Sequence, residues 1–260
     1  MEIYKRPLYY EIAFSFIDPK EQIDNFERII KKFSKISVKR FLDIACGPSL
    51  QLREIARRGY ESIGLDLYPE MLEYLRKKAR EEGLKIETVQ ADMYNFRLKK
   101  KVDFAFIMMG SLVSGSNEKF LSHLNSVVAS LNDGGLYFIQ NLGLDWTRNG
   151  KQRWTMERDG ITVETSFETH FKDVLNQIYT EKMVLEVNDN GKIKKFVQEE
   201  DLKFIFPQEF KTLLKLNERF EFLGWWKGNC STWHLDQPLN RTKNLGDNMV
   251  LLRKKQSPKK

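Results

Sequence analysis

Two alternating patterns of apolar residues run along the first 140 residues of the chain. Short, almost continuous apolar runs are typical of buried parallel strands, and apolar residues at three- or four-residue spacing are typical of helices that pack by one face. The apolar runs predict strands at 40–45, 61–66, 86–90, 102–108 and 136–140, and the other pattern predicts helices at 49–58, from 69 onwards and at 117–131. Strands that alternate with helices predict a doubly wound α/β sheet.

A further helix precedes this region. Asp18 stands at the position of an N-cap and Pro19 at the first helical position, which is the usual start of a helix. The apolar residues that follow fall on one helical face and are Ile23, Phe26, Ile29, Ile30 and Phe33.

From about residue 150 the pattern changes to a two-residue period. Apolar and small residues at odd positions from Ile161 to Phe171 alternate with polar ones, as in a strand with two different faces. Asp159-Gly160 and Asn190-Gly191 are hairpin signals. Residues 150–206 are therefore expected to form an antiparallel β meander inserted before the helix that Pro207 begins.

The C-terminal part predicts two more strands, at 220–226 and 249–253, which would complete a seven-stranded, mostly parallel sheet. Residues 227–246 between them are expected to be a loop. The whole chain, 1–260, is expected to be one domain of a size that can bury a full core.

Two acids and a small-residue turn mark the ends of the first two strands. Asp43 precedes the turn Ala45-Cys46-Gly47-Pro48, and Asp66 ends the second strand 23 positions after Asp43. This spacing fits one strand–helix–strand passage, and a carboxylate at the second strand end can accept hydrogen bonds from both hydroxyls of a ribose. The sequence therefore predicts a site for an adenosine-like ribose.

The turn itself favours a ligand without a phosphate. A dinucleotide site needs Gly-x-Gly-x-x-Gly so that a pyrophosphate can approach backbone N–H groups. Here Ala45 occupies the first glycine position, and Pro48 has no N–H to donate. A ligand with a sulfonium and an amino-acid tail would not need that donor. Asp43 is expected either to orient the turn or to meet an ammonium group through water.

Five motifs in order resemble those of class I S-adenosylmethionine-dependent methyltransferases. They cover residues 40–142 and depart from the family pattern at Ser49, where the last glycine of the first motif usually stands. The matching segments are Asp43 to Gly47, Gly64 to Asp66, Ala91 to Met93, Val102 to Ser111 and Leu131 to Gly135. The resemblance implies a Rossmann-like methyltransferase fold, S-adenosyl-L-methionine as cofactor and methyl transfer in line to an acceptor.

The resemblance also implies which residues contact the cofactor. Asp66 corresponds to the acid that binds the ribose, and Asp92 to the acid that meets the adenine amino group. Tyr10 is expected to belong to an N-terminal helical lid, residues 1–35. The cofactor-binding candidates are Tyr10, Asp43, Ala45, Cys46, Gly47, Asp66, Leu67, Met71, Asp92, Met93, Met108 and Gly110.

Insertions such as 150–206 commonly cover the substrate side of the pocket in this family. Arg153, Trp154 and His170 are therefore candidate substrate residues, together with Glu164 and Glu168. No catalytic residue is assigned, because a sulfonium methyl is already electrophilic and a base is needed only if the acceptor must lose a proton early.

Composition agrees with a cytoplasmic enzyme. The chain is 41% hydrophobic and 30% charged, shows no signal peptide, and has no apolar run that approaches the roughly 20 residues of a membrane helix. Two cysteines, Cys46 and Cys230, cannot form a disulfide framework, and Cys46 is expected to be a small buried thiol. Three scattered histidines, one of them His123 on a helix surface, predict no metal site.

The net charge of +7 raises the alternative of a nucleic-acid partner. Five of the 43 basic residues lie in a basic tail, 253–260, and the rest of the chain carries 38 basic against 36 acidic residues. A nearly balanced body does not favour a phosphate-tracking surface. A small-molecule methyltransferase acting on an N, O or C atom is thus the leading interpretation. The alternatives are an RNA methyltransferase, a noncatalytic cofactor-binding protein and a nicotinamide-dependent oxidoreductase.

Overall fold

The structure, a computed structural model, contains one large mixed β-sheet flanked by helices and one small antiparallel sheet. It describes residues 3–112, 115–142, 150–228, 233–241 and 247–256, so Cys230 and residues 257–260 of the predicted tail lie outside the described residues. A 3₁₀ turn at Ile3–Lys5 opens the described chain, and another lies at Leu239–Arg241. The helices are α1 Pro7–Ala13, α2 Pro19–Phe33, α3 Leu50–Arg57, α4 Pro69–Glu81, α5 Asn117–Ser130 and α6 Pro207–Asn217. The strands are β1 Arg40–Ile44, β2 Glu61–Asp66, β3 Ile86–Gln90, β4 Val102–Ile107, β5 Leu131–Gln140, β6 Gly150–Arg158, β7 Ile161–Asp173, β8 Ile178–Asp189, β9 Lys192–Lys203, β10 Phe220–Gly228, β11 Trp233–Pro238 and β12 Asn248–Lys254.

The large sheet has the strand order β11-β10-β12-β5-β4-β1-β2-β3. Strands β1 to β5 pair in parallel, and β12 runs antiparallel between β5 and β10. The predicted doubly wound α/β class is confirmed. The sheet has one strand more than expected, because part of the predicted loop 227–246 forms β11, which pairs antiparallel with β10.

Helices cover both faces of the large sheet. On one face, the aromatic side chains of Phe41, Phe104, Phe106 and Phe138 pack against α2 and α3, with Phe26 of α2 4.9 Å from both Phe104 and Phe106 between ring centroids. On the other face, side chains of the same strands pack against α5 and α6. With both faces buried, functional side chains are left to the strand ends.

The small sheet is the predicted meander, with strand order β6-β7-β8-β9. Asp159-Gly160 joins β6 to β7 and Asn190-Gly191 joins β8 to β9, all four residues having positive φ. This geometry is that of the type I′ turn, which Asp-Gly and Asn-Gly favour.

One side of the small sheet, its inner face, packs against the N-terminal segment. Ile161, Val163, Leu185, Val187 and Phe196 form one apolar cluster with Ile3, Ile12 and Ala13. The two-residue period and the strand register put Trp154, Glu181, Gln198 and Glu200 on this same face. The opposite side is the outer face.

The predicted lid, residues 1–35, divides into two parts with different environments. Asp18 caps α2 by accepting hydrogen bonds from the backbone N–H of Lys20 at 2.8 Å and of Glu21 at 3.4 Å. Helix α2 covers the large sheet, whereas α1 lies against the small sheet and α4. Only the segment before α2 is therefore placed as a lid would be.

Two residues of the predicted basic tail belong instead to the sheet. Arg253 and Lys254 end β12 and are 7% and 3% exposed. The Arg253 guanidinium pairs with Glu221 at 2.8 Å, and the Lys254 ammonium donates to the carbonyl of Leu131 at 2.8 Å. Lys254 extends the strand one residue past its predicted end, where its ammonium has a buried acceptor in the carbonyl of Leu131. Among the described residues, no helix combines the length and apolar character that a membrane span requires.

Candidate functional site

The turn after β1 is built from residues in the left-handed backbone region. Ala45 has φ 55°, Gly47 52° and Ser49 31°. A non-glycine residue in this region costs about 1 kcal/mol, and Ala45 stands where the related motif has glycine. The turn brings Cys46 into the interior, where it is 8% exposed, and burial raises the pKa of its thiol. Cys46 is thus the small buried thiol that the sequence predicts.

Asp66, at the end of β2, is bound to this turn. Its Oδ2 accepts a hydrogen bond from the backbone N–H of Gly47 at 2.8 Å, and its Oδ1 accepts one from that of Tyr68 at 2.8 Å. The side chain is 7% exposed, and burial raises its pKa while these hydrogen bonds lower it. Each carboxylate oxygen has capacity for a further donor.

Asp43 lies below the turn and is buried, with 4% of its surface exposed. The Ser49 hydroxyl donates to Asp43 Oδ2 at 2.6 Å and accepts from the backbone N–H of Leu52 at 3.0 Å, which caps α3. Burial raises the pKa of Asp43 to about 8, so this carboxyl is largely uncharged at pH 7. Of the two roles expected for Asp43, the contacts favour orienting the turn.

The candidates for the adenine end of the cofactor lie at neighbouring strand ends. Leu67 follows β2 and is 53% exposed, and its carbonyl accepts from the Gln90 side chain at the end of β3. Asp92 is exposed and accepts from the backbone N–H of Tyr94 at 2.8 Å. Met93 follows Asp92 and is partly buried. These residues bound an open edge beside Asp66.

His123 holds this edge from below, which corrects its predicted place on a helix surface. Its side chain is fully buried, with Nδ1 2.8 Å from the carbonyl oxygen of Met93 and Nε2 2.6 Å from the hydroxyl of Tyr137. Burial lowers the pKa of His123 to about 4. The neutral ring therefore donates from Nδ1 to Met93 and accepts from Tyr137.

A second turn, after β4, forms the opposite wall. Met109 and Gly110 have φ of 59° and 69°, and the backbone N–H of Met109 donates to Gln140 Oε1 at 3.0 Å. Met108, Met109 and Ser111 line one cleft together with the turn after β1. The candidates that share this cleft are Tyr10, Asp43, Ala45, Cys46, Gly47 and Met108. Met71 lies next to it, its sulfur 4.0 Å from the place a Cβ would take on Gly47.

Helix α1 closes the cleft from the N-terminal side. Tyr10, Glu11 and Phe14 line it. The Tyr10 ring lies 4.7 Å from that of Phe14 and 5.9 Å from that of Tyr4, and Tyr4 lies 5.3 Å from Tyr68, measured between centroids. Tyr10 is thus placed as a lid residue would be, and a row of aromatic rings runs from it to the residue that precedes α4.

The candidate substrate residues separate onto the two faces of the small sheet. Trp154 is on the inner face, where its Nε1–H donates to the carbonyl of Ala13 at 2.7 Å and its ring lies 5.6 Å from Phe14. Arg153 and His170 are exposed on the outer face, together with Glu164 and Glu168. The structure gives no support to substrate contact by these outer-face residues.

Glu11 was not predicted as a site residue from the sequence, yet it joins three parts of the site. It is 3% exposed, and its carboxylate lies 3.0 Å from Arg53 of α3 and 2.8 Å from Arg158 of β6, and accepts from the Tyr74 hydroxyl at 3.2 Å. The sequence feature that could have indicated a buried role for Glu11 is its position directly before the apolar pair Ile12-Ala13.

Two further acids of the inner face, Glu181 and Glu200, were also missed. Glu181 lies in β8 on the same two-residue phase as Tyr179, Met183 and Leu185, which is the signal that was available. Within the described ranges, no group of His, Cys, Asp and Glu side chains has the arrangement of a metal site.

The central part of the chain is similar to known methyltransferases. A family model described as "Methyltransferase domain" matches residues 41–135. The ubiquinone biosynthesis O-methyltransferase of Nitrosococcus oceani is 31% identical over 120 residues, which are 44% of this chain and 48% of that protein. The matched region is thus less than half of that relative's length.

Solved methyltransferase structures share the fold over nearly the whole chain. An S-adenosylmethionine-dependent methyltransferase from Clostridium acetobutylicum superposes with a TM-score of 0.75 at 17% identity, over 96% of this chain and 97% of that one. An S-adenosylmethionine-bound amino pentose methyltransferase from Micromonospora echinaspora gives 0.68 at 18% identity, over 90% of both chains. At these identities the likeness shows the fold. The superposed parts cover so much of this chain that they include residues of the small sheet.

Proposed function

We propose that the protein is an enzyme that transfers a methyl group from S-adenosylmethionine to a small molecule, since a methyltransferase-domain model matches residues 41–135. The observation that carries this proposal is the corner formed by Asp66 and Gly47. It presents a buried carboxylate beside a turn in which Ala45 and Pro48 take the places where a dinucleotide site needs glycine flexibility and an N–H donor.

The residues of the corner fit an adenosine with an amino-acid tail. Asp66 has acceptor capacity left for ribose hydroxyls, and the nearest atom to a Cβ built on Gly47 would be 4.0 Å away, so the turn has an open side. We assign the adenine to the edge formed by Leu67, Asp92 and Met93. The amino-acid tail is assigned to the turn at Gly47.

When bound, the cofactor supplies a methyl group on a positively charged sulfur, which any well-aligned lone pair can attack. The protein then has to orient the acceptor and exclude water. Tyr10 of α1 and Phe14, which follows α1, exclude water on one side of the cleft. Met108 and Met109 exclude it on the other side. No nucleophile of the protein is required.

Two of the alternatives lose their support. The RNA alternative depended on a solvated basic tail, and two of its five cations, Arg253 and Lys254, are buried in β12. The oxidoreductase alternative requires a pyrophosphate at the turn, where Pro48 offers no hydrogen. The small-molecule proposal also agrees with the activities for which the Nitrosococcus and Micromonospora proteins are named.

The test is transfer of a labelled methyl group from S-adenosylmethionine. The purified protein is incubated with pooled primary amines, amino sugars, phenols and carboxylic acids in one arm and with total RNA in another. Asp66→Asn supplies the background in both arms. Label in a small molecule, with S-adenosylhomocysteine formed in equal amount, is the expected result. Label in RNA alone would overturn the proposed substrate class.

A further inference from the structure

Two carboxylates face each other on the inner face of the small sheet. Glu181 of β8 and Glu200 of β9 are directly opposite in the strand register, which places their Cβ atoms about 5 Å apart. Both side chains are half-buried, and among the described residues no Lys, Arg or His side chain forms an ion pair with either. Like charges at this spacing repel and need a cation or a shared proton.

A third side chain beside the pair, that of Gln198, has one polar atom without a hydrogen-bond partner. Gln198, two residues before Glu200 on the same face, is 7% exposed. Its Nε2 donates to Glu200 Oε1, and its Oε1 is buried without any hydrogen-bond donor. A buried amide oxygen left unpaired costs about 1–3 kcal/mol, so its retention beside two acids calls for an explanation.

Tyrosines from both parts of the molecule lie within electrostatic range of the two acids. Burial raises the pKa of Tyr4, and Tyr10, Glu181 and Glu200 raise it further. The Glu200 charge likewise acts on Tyr68. Tyr4 belongs to the 3₁₀ turn that contacts β9, and its ring lies 5.3 Å from that of Tyr68, two positions after Asp66, so β9 lies towards the strand ends that we assign to the cofactor.

Two further tyrosines, Tyr94 and Tyr179, lie within electrostatic range of the acid pair. The Glu200 charge, after burial and Asp92, contributes to raising the pKa of Tyr94 to about 12. Tyr179 is 2% exposed, and its ring stacks on that of Phe204 at 4.1 Å. The surroundings of the acid pair are thus aromatic and acidic, and within the described ranges no Lys, Arg or His side chain forms an ion pair with either acid.

We propose that Glu181, Glu200 and Gln198 bind a protonated amino group of the methyl acceptor, so that the substrate is a small amine. Where that nitrogen is itself methylated, its proton passes to the carboxylate pair before its lone pair attacks the methyl and S-adenosylhomocysteine leaves. The inference rests on the proposed methyltransferase function. A primary ammonium has three N–H donors, and the three side chains offer one acceptor each. Tyrosine rings add attraction for a cation, and desolvation strengthens both interactions.

Electrostatics supports the choice of a cation. Burial and then the charge of Glu200 raise the pKa of Glu181 to about 7, which means that the pair holds a proton readily when no cation is present. Burial also raises the pKa of Glu200. A bound ammonium would oppose both rises and keep the two carboxylates charged.

The test compares matched amine and hydroxyl compounds on matched variants. Glucosamine against glucose, and tyramine against 4-hydroxyphenethyl alcohol, are assayed as acceptors of labelled methyl and as ligands by saturation-transfer NMR with S-adenosylhomocysteine present. The variants are Glu181→Gln and Glu200→Gln. The control is Glu199→Gln, which alters an exposed outer-face acid paired with Lys182.

We expect at least one amine to bind and its hydroxyl partner not to bind. Each inner-face variant should raise the KM or Kd for that amine by about 10-fold or more, the scale of one hydrogen bond to a charged group, and Glu199→Gln should not. Equal behaviour of amine and alcohol, binding of neither, or insensitivity of amine binding to Glu181→Gln and Glu200→Gln would overturn the inference.

Cofactor affinity separates this inference from the function on which it rests. Neither glutamate is assigned to the cofactor, so S-adenosylmethionine should bind the Gln variants as it binds the wild type. Loss of cofactor binding by the wild type would refute the methyltransferase. Normal cofactor binding with a higher melting temperature and unchanged amine KM in Glu181→Gln would show that the pair only shares a proton.

Discussion

The carboxylate of Glu11 in α1 lies 2.8 Å from the guanidinium of Arg158 in β6. Because Glu11 also pairs with Arg53 of α3 at 3.0 Å, one buried acid connects the small sheet, the N-terminal segment and the large sheet. The cleft that contains Gly47 and Met108 is closed by this same helix. Its shape therefore depends on an ion-pair network as well as on apolar packing.

Glu11→Gln should reveal that dependence. The change leaves the buried guanidinium of Arg53 with only Glu82, and Arg158 without its carboxylate, so the free energy of unfolding should fall by about 3 kcal/mol. Urea unfolding measures this. Glu81→Gln, which removes an exposed pair with Lys78, is the control and should have no effect. Equal results for the two variants would mean that the Glu11 network contributes nothing.

Trp154 and Arg153 provide a second matched pair, because consecutive strand residues point to opposite faces. Trp154→Phe removes the donor to Ala13 and should lower the free energy of unfolding by about 1 kcal/mol while weakening acceptor binding. Arg153→Ala should change neither quantity. A larger kinetic effect for Arg153→Ala than for Trp154→Phe would place the acceptor on the outer face.

Asp43 gives the stability a distinctive pH dependence. Its pKa is about 8 when folded and near 3.8 when unfolded, so between these values only the folded chain holds the proton. The contribution of Asp43 to the free energy of unfolding of the cofactor-free protein should then fall as pH rises from about 4 to 8, by at most about 1.4 kcal/mol per pH unit. Asp43→Asn removes this contribution. The stability of the variant relative to the wild type should thus increase through that window and level off above it, and a constant difference would contradict the assignment.

His123 acts in the opposite sense. Its pKa is about 4 in the fold and near 6.5 in an unfolded chain, so between these values only the unfolded chain takes up a proton. The contribution of His123 to the free energy of unfolding is present in full above pH 6.5 and should be lost progressively as pH falls towards 4. The imidazole signals in NMR should report a neutral ring, protonated at Nδ1, at pH 5.5. A ring that titrates near 6.5 would show that His123 does not hold Met93 as described.

The local elements of the fold were predictable because each is encoded over a short stretch. Strands β2 and β3 have the predicted bounds, since turn residues flank apolar runs on both sides. Strand β5 begins at Leu131 instead of 136, because its first residue pairs with Val102 of β4. Strand β11 was not predicted, since its pairing with β10 depends on tertiary contact and its own sequence alternates weakly.

The candidate site was predictable where one motif carries it. The Asp66–Gly47 corner follows from strand order and spacing, whereas the Glu11 network joins residues 42 and 147 positions apart, which no local pattern encodes. The two-residue period of 150–173 predicts two faces but does not say which packs against α1. Arg153 and Trp154 could not both have faced the cleft, and that much the alternation already implied.

Calorimetric titration of the wild type and Asp66→Ala with S-adenosylmethionine, S-adenosylhomocysteine and NAD⁺ tests the central claim most directly. We predict saturable binding of the first two ligands to the wild type and no binding of NAD⁺. In Asp66→Ala the affinity should fall by roughly 10- to 100-fold, the scale of a lost hydrogen bond to a carboxylate, while circular dichroism confirms an unchanged fold. Binding of NAD⁺ alone, or unchanged affinity in a folded Asp66→Ala, would contradict the account.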